Sequence, residues 1–366
     1  MSFQRIDQAF AIILSLPFLV AIISMLANHS WDWSYIDKYI RYPLGALAFI
    51  LMLKGRKTTL NLSIIKLGFY ATAFVGFFFA LYQKMVLGVQ LAYAGIFSIS
   101  FGEIMTAVAI ISLLKFDSGK INKLPWRLSA FTLAMLASVM AGTKGAWIVY
   151  PFLMWVISDF HYNKNTVKQF TAFVASILVI AVLLCNIPFS KHRIEEAVNE
   201  VAGYYNHNDF KPTSQGLRLM MWNTALQIYA ENPCFGVGPS NVSDELIKHC
   251  RNSPNESIRS GLESYQHYMV HAHNDWLESL AGQGIGGILA LVLFAFFPAA
   301  ICFKNRRKYS GTIRMWIYFN ILINVGFVGF CTTQCLHMAP RDFWIAFSVI
   351  SFAQIRILQS KESVFS

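Results

Sequence analysis

The stretch that decides the fold is Gly284–Phe303, GIGGILALVLFAFFPAAICF, twenty residues without a charge. At about 1.5 Å of rise per residue, a helix of this length crosses a hydrocarbon core roughly 30 Å thick. After it come Lys304, Arg306, Arg307, Lys308 and Arg314; before it comes a histidine cluster, Tyr265–Glu278 (YQHYMVHAHNDWLE). Lys and Arg resist translocation, so the basic flank is expected inside and the histidines on the outer face.

Further apolar runs lie at Phe10–Ala27, Ile36–Leu53, Ile64–Tyr82, Gly95–Leu114, Leu128–Gly142, Ala146–Ser158, Phe170–Pro188, Met315–Thr332 and Phe343–Ile355. With Gly284–Phe303 these make ten expected spans, of which Ile36–Leu53, Leu128–Gly142, Ala146–Ser158 and Phe343–Ile355 are short or weakly apolar. Composition agrees: of 366 residues 55% are hydrophobic and 13% charged. Mean hydropathy is +0.47. A soluble protein carries about 25% charged residues, so this chain has too little charge to coat a water-facing surface. Intrinsic disorder is excluded on the same ground. The formal net charge of +11 would suggest nucleic acid in a soluble protein. Here the basic residues cluster on alternate loops, at Lys54–Lys57, Lys115–Arg127, Lys164–Lys168 and Lys304–Arg314. That bias orients the chain and removes any need for a nucleic-acid partner. The fold class expected is an all-α polytopic integral membrane protein. It comprises an N-terminal bundle over residues 1–188, an outer loop over 189–283 and C-terminal helices over 284–366. Both termini are expected in the cytoplasm. The first span lacks a following A-x-A-like cleavage site and reads as an anchor.

Within the outer loop, Phe189–His271 is a connection of some 80 residues, far longer than a turn requires, and ordered loops of that size are generally functional. Gly216–Ala230 spaces Leu217, Met220, Met221, Thr224 and Ile228 as one helical face, with Thr213 or Ser214 as cap. Arg218 then falls in the first turn, where a cation opposes the helix dipole. Exposed N–H groups beside a guanidinium suit a phosphate; a headgroup-facing arginine is the plain alternative. Among the histidines, imidazole is a natural general base. The pair His271-x-His273 also raises a metal, but on a helix such side chains point apart. The alternative is an interfacial histidine without chemistry. Lys144, between glycines in Ala141–Trp147 (AGTKGAW), and Glu103 are ionisable residues at membrane depth. Lys144 either serves the site or snorkels. Glu103 either pairs with a cation or lines a cavity. Arg341-Asp342 reads as a local pair. Cys234 and Cys250, in the outer segment, allow a disulfide or two free thiols.

Taken together, these elements resemble a known family. His273-Asn274, nine residues and Gly284-x-x-Gly287 match the H-[NSQ]-x9-G-x-x-G pattern of bacterial O-antigen ligases. Gly216-x-Arg218-x3-Trp222 followed by Pro233-x-x-Gly236-x-Gly238 resembles a second run of the O-antigen ligase and polymerase superfamily. The family commonly has a T/S-R-G/A element; here Thr143-Lys144-Gly145 keeps the charge but lacks the bidentate fork.

The resemblance implies a GT-C-like glycosyltransferase of the bacterial inner membrane, active on its periplasmic face. Its donor is an undecaprenyl-diphosphate-linked glycan and its acceptor a lipid A-core sugar, both reached among membrane lipids. His273 is then the general base, with Asn274 orienting it or the acceptor. Arg218 and Lys144 hold the diphosphate, with Arg41, Arg341 and His271 as further candidates. Gly284 and Gly287 are assigned to helix packing. No D-x-D occurs, so the expectation is an inverting transfer with no metal and no cofactor. Rival readings are an O-antigen polymerase, a protein O-oligosaccharyltransferase and a polytopic transporter. The last predicts substrate groups at the midplane and repeated halves, neither of which the sequence shows.

Overall fold

In lipid every backbone polar group must be satisfied within the protein, and apolar runs satisfy theirs as helices. The computed structural model describes all residues except 1–3, 56–58, 116–122, 163–164, 187, 206–212, 334–339 and 366. The described residues form fourteen α-helices and no strand. Seven precede the outer segment: α1 (Arg5–Ala27), α2 (Trp33–Gly55), α3 (Leu62–Met85), α4 (Ser98–Ser112), α5 (Leu124–Ala141), α6 (Lys144–Tyr162) and α7 (Thr166–Asn186). The segment itself holds α8 (Pro188–Tyr205), α9 (Ser214–Glu231), α10 (Val242–Arg251) and α11 (Glu256–Tyr265). Then come α12 (Asp275–Asn305), α13 (Gly311–Phe330) and α14 (Pro340–Phe365).

Six helices are long and apolar enough to cross a membrane: α1, α3, α5, α12, α13 and Asp342–Lys361 of α14. The remaining expected spans coincide with α2, α4, α6 and α7, which fall short of that measure among the described residues. Asp37, Lys38 and Arg41 dilute the first half of α2, and α4 has only 15 residues. On α3, Ile64, Phe74, Val75 and Phe78 are exposed. A row of large apolar side chains facing outward belongs against lipid.

The main core runs through α1–α6 and α12–α14. Phe10 packs edge-on against Phe49 at 4.8 Å and tilted against Phe352 at 4.4 Å, tying α1 to α2 and α14. α13 runs through the centre and is buried along nearly its whole length. Its two polar core residues bond across to α14: Asn320 Nδ2 donates to Ser351 Oγ at 2.8 Å, and Asn324 Nδ2 to Ser348 Oγ at 3.5 Å. Such bonds hold helices together where lipid offers no hydrophobic drive.

At one end of the bundle Asp159 of α6 accepts from Arg306 Nε (2.8 Å), Arg307 Nη2 (3.0 Å), Tyr318 OH (2.6 Å) and Gln169 Nε2 (2.8 Å). The basic flank of α12 is thus held at the end where α6 finishes and α13 begins. The opposite end carries a second, smaller core from α9, α10 and α11, including Leu217, Met220, Leu246, Leu262 and Tyr265. In it Cys250 is buried, while Cys234 is exposed, and both are free thiols.

Candidate active site

α9 begins as its sequence dictates. Thr213 Oγ1 accepts from Gly216 N at 3.2 Å and caps the helix, and Leu217, Met220, Met221, Thr224 and Ile228 are buried against the smaller core. With that face committed, Arg218 is left half-buried on another.

Downstream, the Pro233–Gly238 turn mates with a break in α12. Val237 N donates to Ala281 O, Gly238 N to Gly282 O and Ile285 N to Pro233 O, each at 2.9 Å. Ser24 Oγ of α1 donates to both Phe235 O (2.7 Å) and Gly282 O (2.8 Å). The break is at Gly284, whose φ of 63° and ψ of −155° are open to glycine and to little else. A Cβ there would stand 2.6 Å from the Cys234 carbonyl, and one at Gly236 would stand 2.4 Å from Gly282 C. Gly284 therefore makes room for the turn's backbone rather than for a neighbouring membrane helix. Gly287 is crowded by its own preceding turn, at 2.6 Å from Ser279 O; the glycine that lets a second helix approach is Gly286, facing Val20 of α1.

The break aims the start of α12 toward the end of α13. Asn274 caps α12, its Oδ1 accepting from Trp276 N (3.0 Å) and Leu277 N (3.2 Å), and its Nδ2 donates to Thr332 O (3.2 Å). Asp275 N donates to Cys331 O at 2.9 Å. Both ends of the Asn274 amide are thus engaged in holding the start of α12, directly after His273.

That residue, His273, has φ +51° and lies in a loop, not a helix. The geometric objection to His271-x-His273 therefore lapses: the two rings meet edge-on at 4.1 Å. His273 N donates to His271 Nδ1 at 3.1 Å, which leaves neutral His271 protonated on Nε2. His273 Nδ1 is buried and has no hydrogen-bond partner among the described residues. Burial pushes His273 down to about 3, with the charges of His271 and Arg218 adding to the effect. His271 is pushed down to about 4, again first by burial, and by Lys38 and Arg218 as well. Both imidazoles are neutral near pH 7, and Arg218 is close enough to act on each. Among the described residues, no three His, Cys, Asp or Glu side chains group as metal ligands.

Lys144 opens α6, with its Nζ buried. A Cβ on the next residue, Gly145, would collide with Thr333 Oγ1 at 2.2 Å. The turn after α13 thus touches both the Lys144 segment, through Thr333, and the His273 segment, through Thr332. Arg41 is elsewhere engaged: its Nη1 donates to both carboxylate oxygens of Asp342 at 3.1 Å. Asp342 therefore pairs across helices with Arg41 and not simply with its neighbour. Arg341 falls at the start of α14, and its side chain lies outside the described residues.

Acidic and basic groups surround the histidine pair, among them Glu103, which the sequence marks as an ionisable residue at membrane depth. Glu278 Oε2 accepts from Ala272 N at 2.7 Å and fixes the histidine loop from behind. Buried Glu103 on α4 is within electrostatic reach of Asp275 and Arg218, and Lys38 on α2 within reach of His271 and Glu278. The nearness of Lys38, and so of α2, to this site is tertiary information that the sequence does not carry.

Fold and site define an all-helical, multi-pass membrane protein with a histidine–arginine centre at one end of its bundle. Residues 128–295 match the family described as O-Antigen ligase, a stretch that contains Lys144, Arg218, His271, His273, Asn274, Gly284 and Gly287. An O-antigen ligase of Escherichia coli K12 is 24% identical over 282 residues, 75% of this chain and 64% of its own. An uncharacterized protein of Haemophilus influenzae is 27% identical over 263 residues, 70% of this chain and 63% of its own. The chain thus matches under two thirds of the length of either relative. Over residues 128–295 the chain is therefore similar to the O-antigen ligase family.

Proposed function

We propose that this protein transfers a glycan from undecaprenyl diphosphate to a sugar of lipid A-core, at the periplasmic face of the bacterial inner membrane. The observation that carries the reading is the meeting of Arg218, from the outer segment, with the neutral, partly buried His271–His273 pair beside the break in α12. The donor's anomeric carbon already bears a good leaving group. The acceptor hydroxyl oxygen attacks that carbon, the bond to the diphosphate oxygen breaks, and its electron pair leaves with the diphosphate. The hydroxyl proton passes to His273, whose Nδ1 has no competing partner among the described residues. Arg218 and Lys144 receive the departing negative charge. A single displacement inverts the anomeric centre, and no step calls for a metal. A diphosphate beside His273 offsets the positive field of Arg218 and raises the imidazole's basicity when it is needed.

The sidedness rests on the basic residues gathered around Asp159 at the far end of the bundle. Ten spans, with α2, α4, α6 and α7 crossing beside the six long helices, place α8–α11 together on the outer side. The 189–283 segment is then the periplasmic unit between bundles 1–188 and 284–366.

Purified protein in nanodiscs, supplied with lipid-linked glycan and lipid A-core, tests the chemistry. Transfer should persist in EDTA, and Arg218→Ala should lower kcat/KM by about 10²–10³-fold. Loss of activity in EDTA with rescue by magnesium or manganese would overturn the metal-free mechanism, and an unchanged Arg218→Ala rate would remove that residue from it.

A further inference from the structure

α9 has a second chemical face. At about 100° per residue, Asn223, Gln227 and Glu231 stand roughly 140–180° around the helix from Arg218. They form one wall of a cavity of about 930 Å³, closed on the other side by the end of α10 and the 252–258 turn. That is at the upper end of the ~300–1,000 Å³ usual for small-ligand sites, with room for several sugar rings.

Its lining selects a ligand class. The charged and basic groups at its edge are engaged locally: Lys248 Nζ lies 2.9 Å from Glu245 Oε1, His249 Nε2 lies 3.2 Å from Glu231 Oε2, and Arg259 Nη1 donates to Ser253 O at 2.5 Å. Among the described lining residues Lys248 is the one Lys or Arg, and Glu231 and Glu256 oppose it, so the lining is not one that gathers anions. Amides and a hydroxyl stand beside these groups: Asn223 and Gln227 are exposed one turn apart, and Asn252 and Ser253 stand across from them. Amides donate and accept at once, as vicinal sugar hydroxyls require. Half-buried Tyr204 adds an aromatic wall for sugar C–H groups.

We propose that this groove is a subsite for the neutral sugars of a glycan chain, on the face of α9 turned away from the reaction centre. The proposal rests on the glycan-transfer reading above and extends it: one helix holds the diphosphate through Arg218 and a distal part of a saccharide through Asn223 and Gln227.

The test uses the full-length protein in nanodiscs and, as probe, lipid-free polysaccharide released by mild acid from the lipopolysaccharide of the bacterium carrying this gene. Saturable binding is expected by saturation-transfer NMR. The double variant Asn223→Ala/Gln227→Ala, at two exposed helix positions, should weaken it about tenfold or more. Asn252→Ala, on the opposite wall, should weaken it independently. Arg218→Ala should bind the probe as wild type does, and inorganic pyrophosphate should not displace it. Absence of saturable binding, wild-type affinity in the groove variants, or displacement by pyrophosphate would each overturn the subsite. If the wild type binds the saccharide but transfers none from a lipid-linked donor, the groove stands and the transfer reading falls.

Discussion

His273 sits in a conformation that side-chain-bearing residues seldom adopt, with φ +51°, between a histidine whose ring nitrogen accepts its N–H and an asparagine that caps the next helix. Its residue type and its neighbours were readable from the sequence. The ring contact with His271 was not, because helical geometry separates such a pair and nothing local announces the turn. Arg218 was legible for the converse reason: a helical pattern with a cation in its first turn gains nothing from the dipole there, so the residue answers to something else. Asn274 has a structural role that its motif does not announce, as the cap of α12. The two low imidazole values also have a consequence for stability. Unfolded histidines take up protons near pH 6.5, while the folded pair resists until about pH 4 and about pH 3. Between those values the unfolded chain binds more protons, so stability is full above pH 6.5 and declines as pH falls toward 3. Thermal unfolding in detergent should show Tm falling from pH 7 to pH 4, with a shallower fall in His271→Gln. Equal slopes in both proteins would mean that burial of this pair is not what the acid limb reports.

The decisive element is α12, a span whose helix breaks at Gly284, nine residues after its start at Asp275. Hydropathy located the span, but a scale of transfer energies is blind to a break at Gly284. The spacing of two glycine motifs, one in the outer segment and one on the span, encodes that break through backbone hydrogen bonds between them. Glycine runs on a membrane helix read first as close helix packing, and Gly286 against Val20 does follow that rule. Gly284 and Gly236 instead seat the turn on the break. Alanine separates the two roles. Gly284→Ala places a Cβ 2.6 Å from backbone and in a backbone conformation that costs roughly 1–3 kcal/mol. Gly286→Ala meets a single flexible valine methyl at 3.1 Å. Gly284→Ala should lower the Tm by several degrees and abolish complementation of a deletion strain, while Gly286→Ala should keep both near wild type. Equal behaviour would remove the break from the account.

For the whole molecule, composition and charge placement already carried the class: an all-helical chain poor in charge, with its cations on alternate loops. Spans were also drawn on segments such as α4, whose helix is shorter than a lone crossing requires and whose neighbours bury nearly every residue. The pairing of helices, such as Arg41 of α2 with Asp342 of α14, is tertiary information that no window of sequence contains. Sidedness is open to direct test through the exposed thiol of Cys234. With Cys335 replaced by serine throughout, a membrane-impermeant maleimide added to cells with a permeabilised outer membrane should label the protein, and Cys234→Ser should abolish that signal. Labelling of Cys234 only after lysis would put the outer segment in the cytoplasm. The central claim is that the histidine beside the α12 break carries the transfer of a lipid-linked glycan to lipid A-core, and the most direct measurement is the lipopolysaccharide of a deletion strain complemented with His273→Ala. A core without polymer and an accumulated lipid-linked glycan, against a full ladder with the wild-type gene, is the predicted result. An unchanged ladder with His273→Ala, or a core bearing a single repeat unit in the uncomplemented deletion strain, would contradict it.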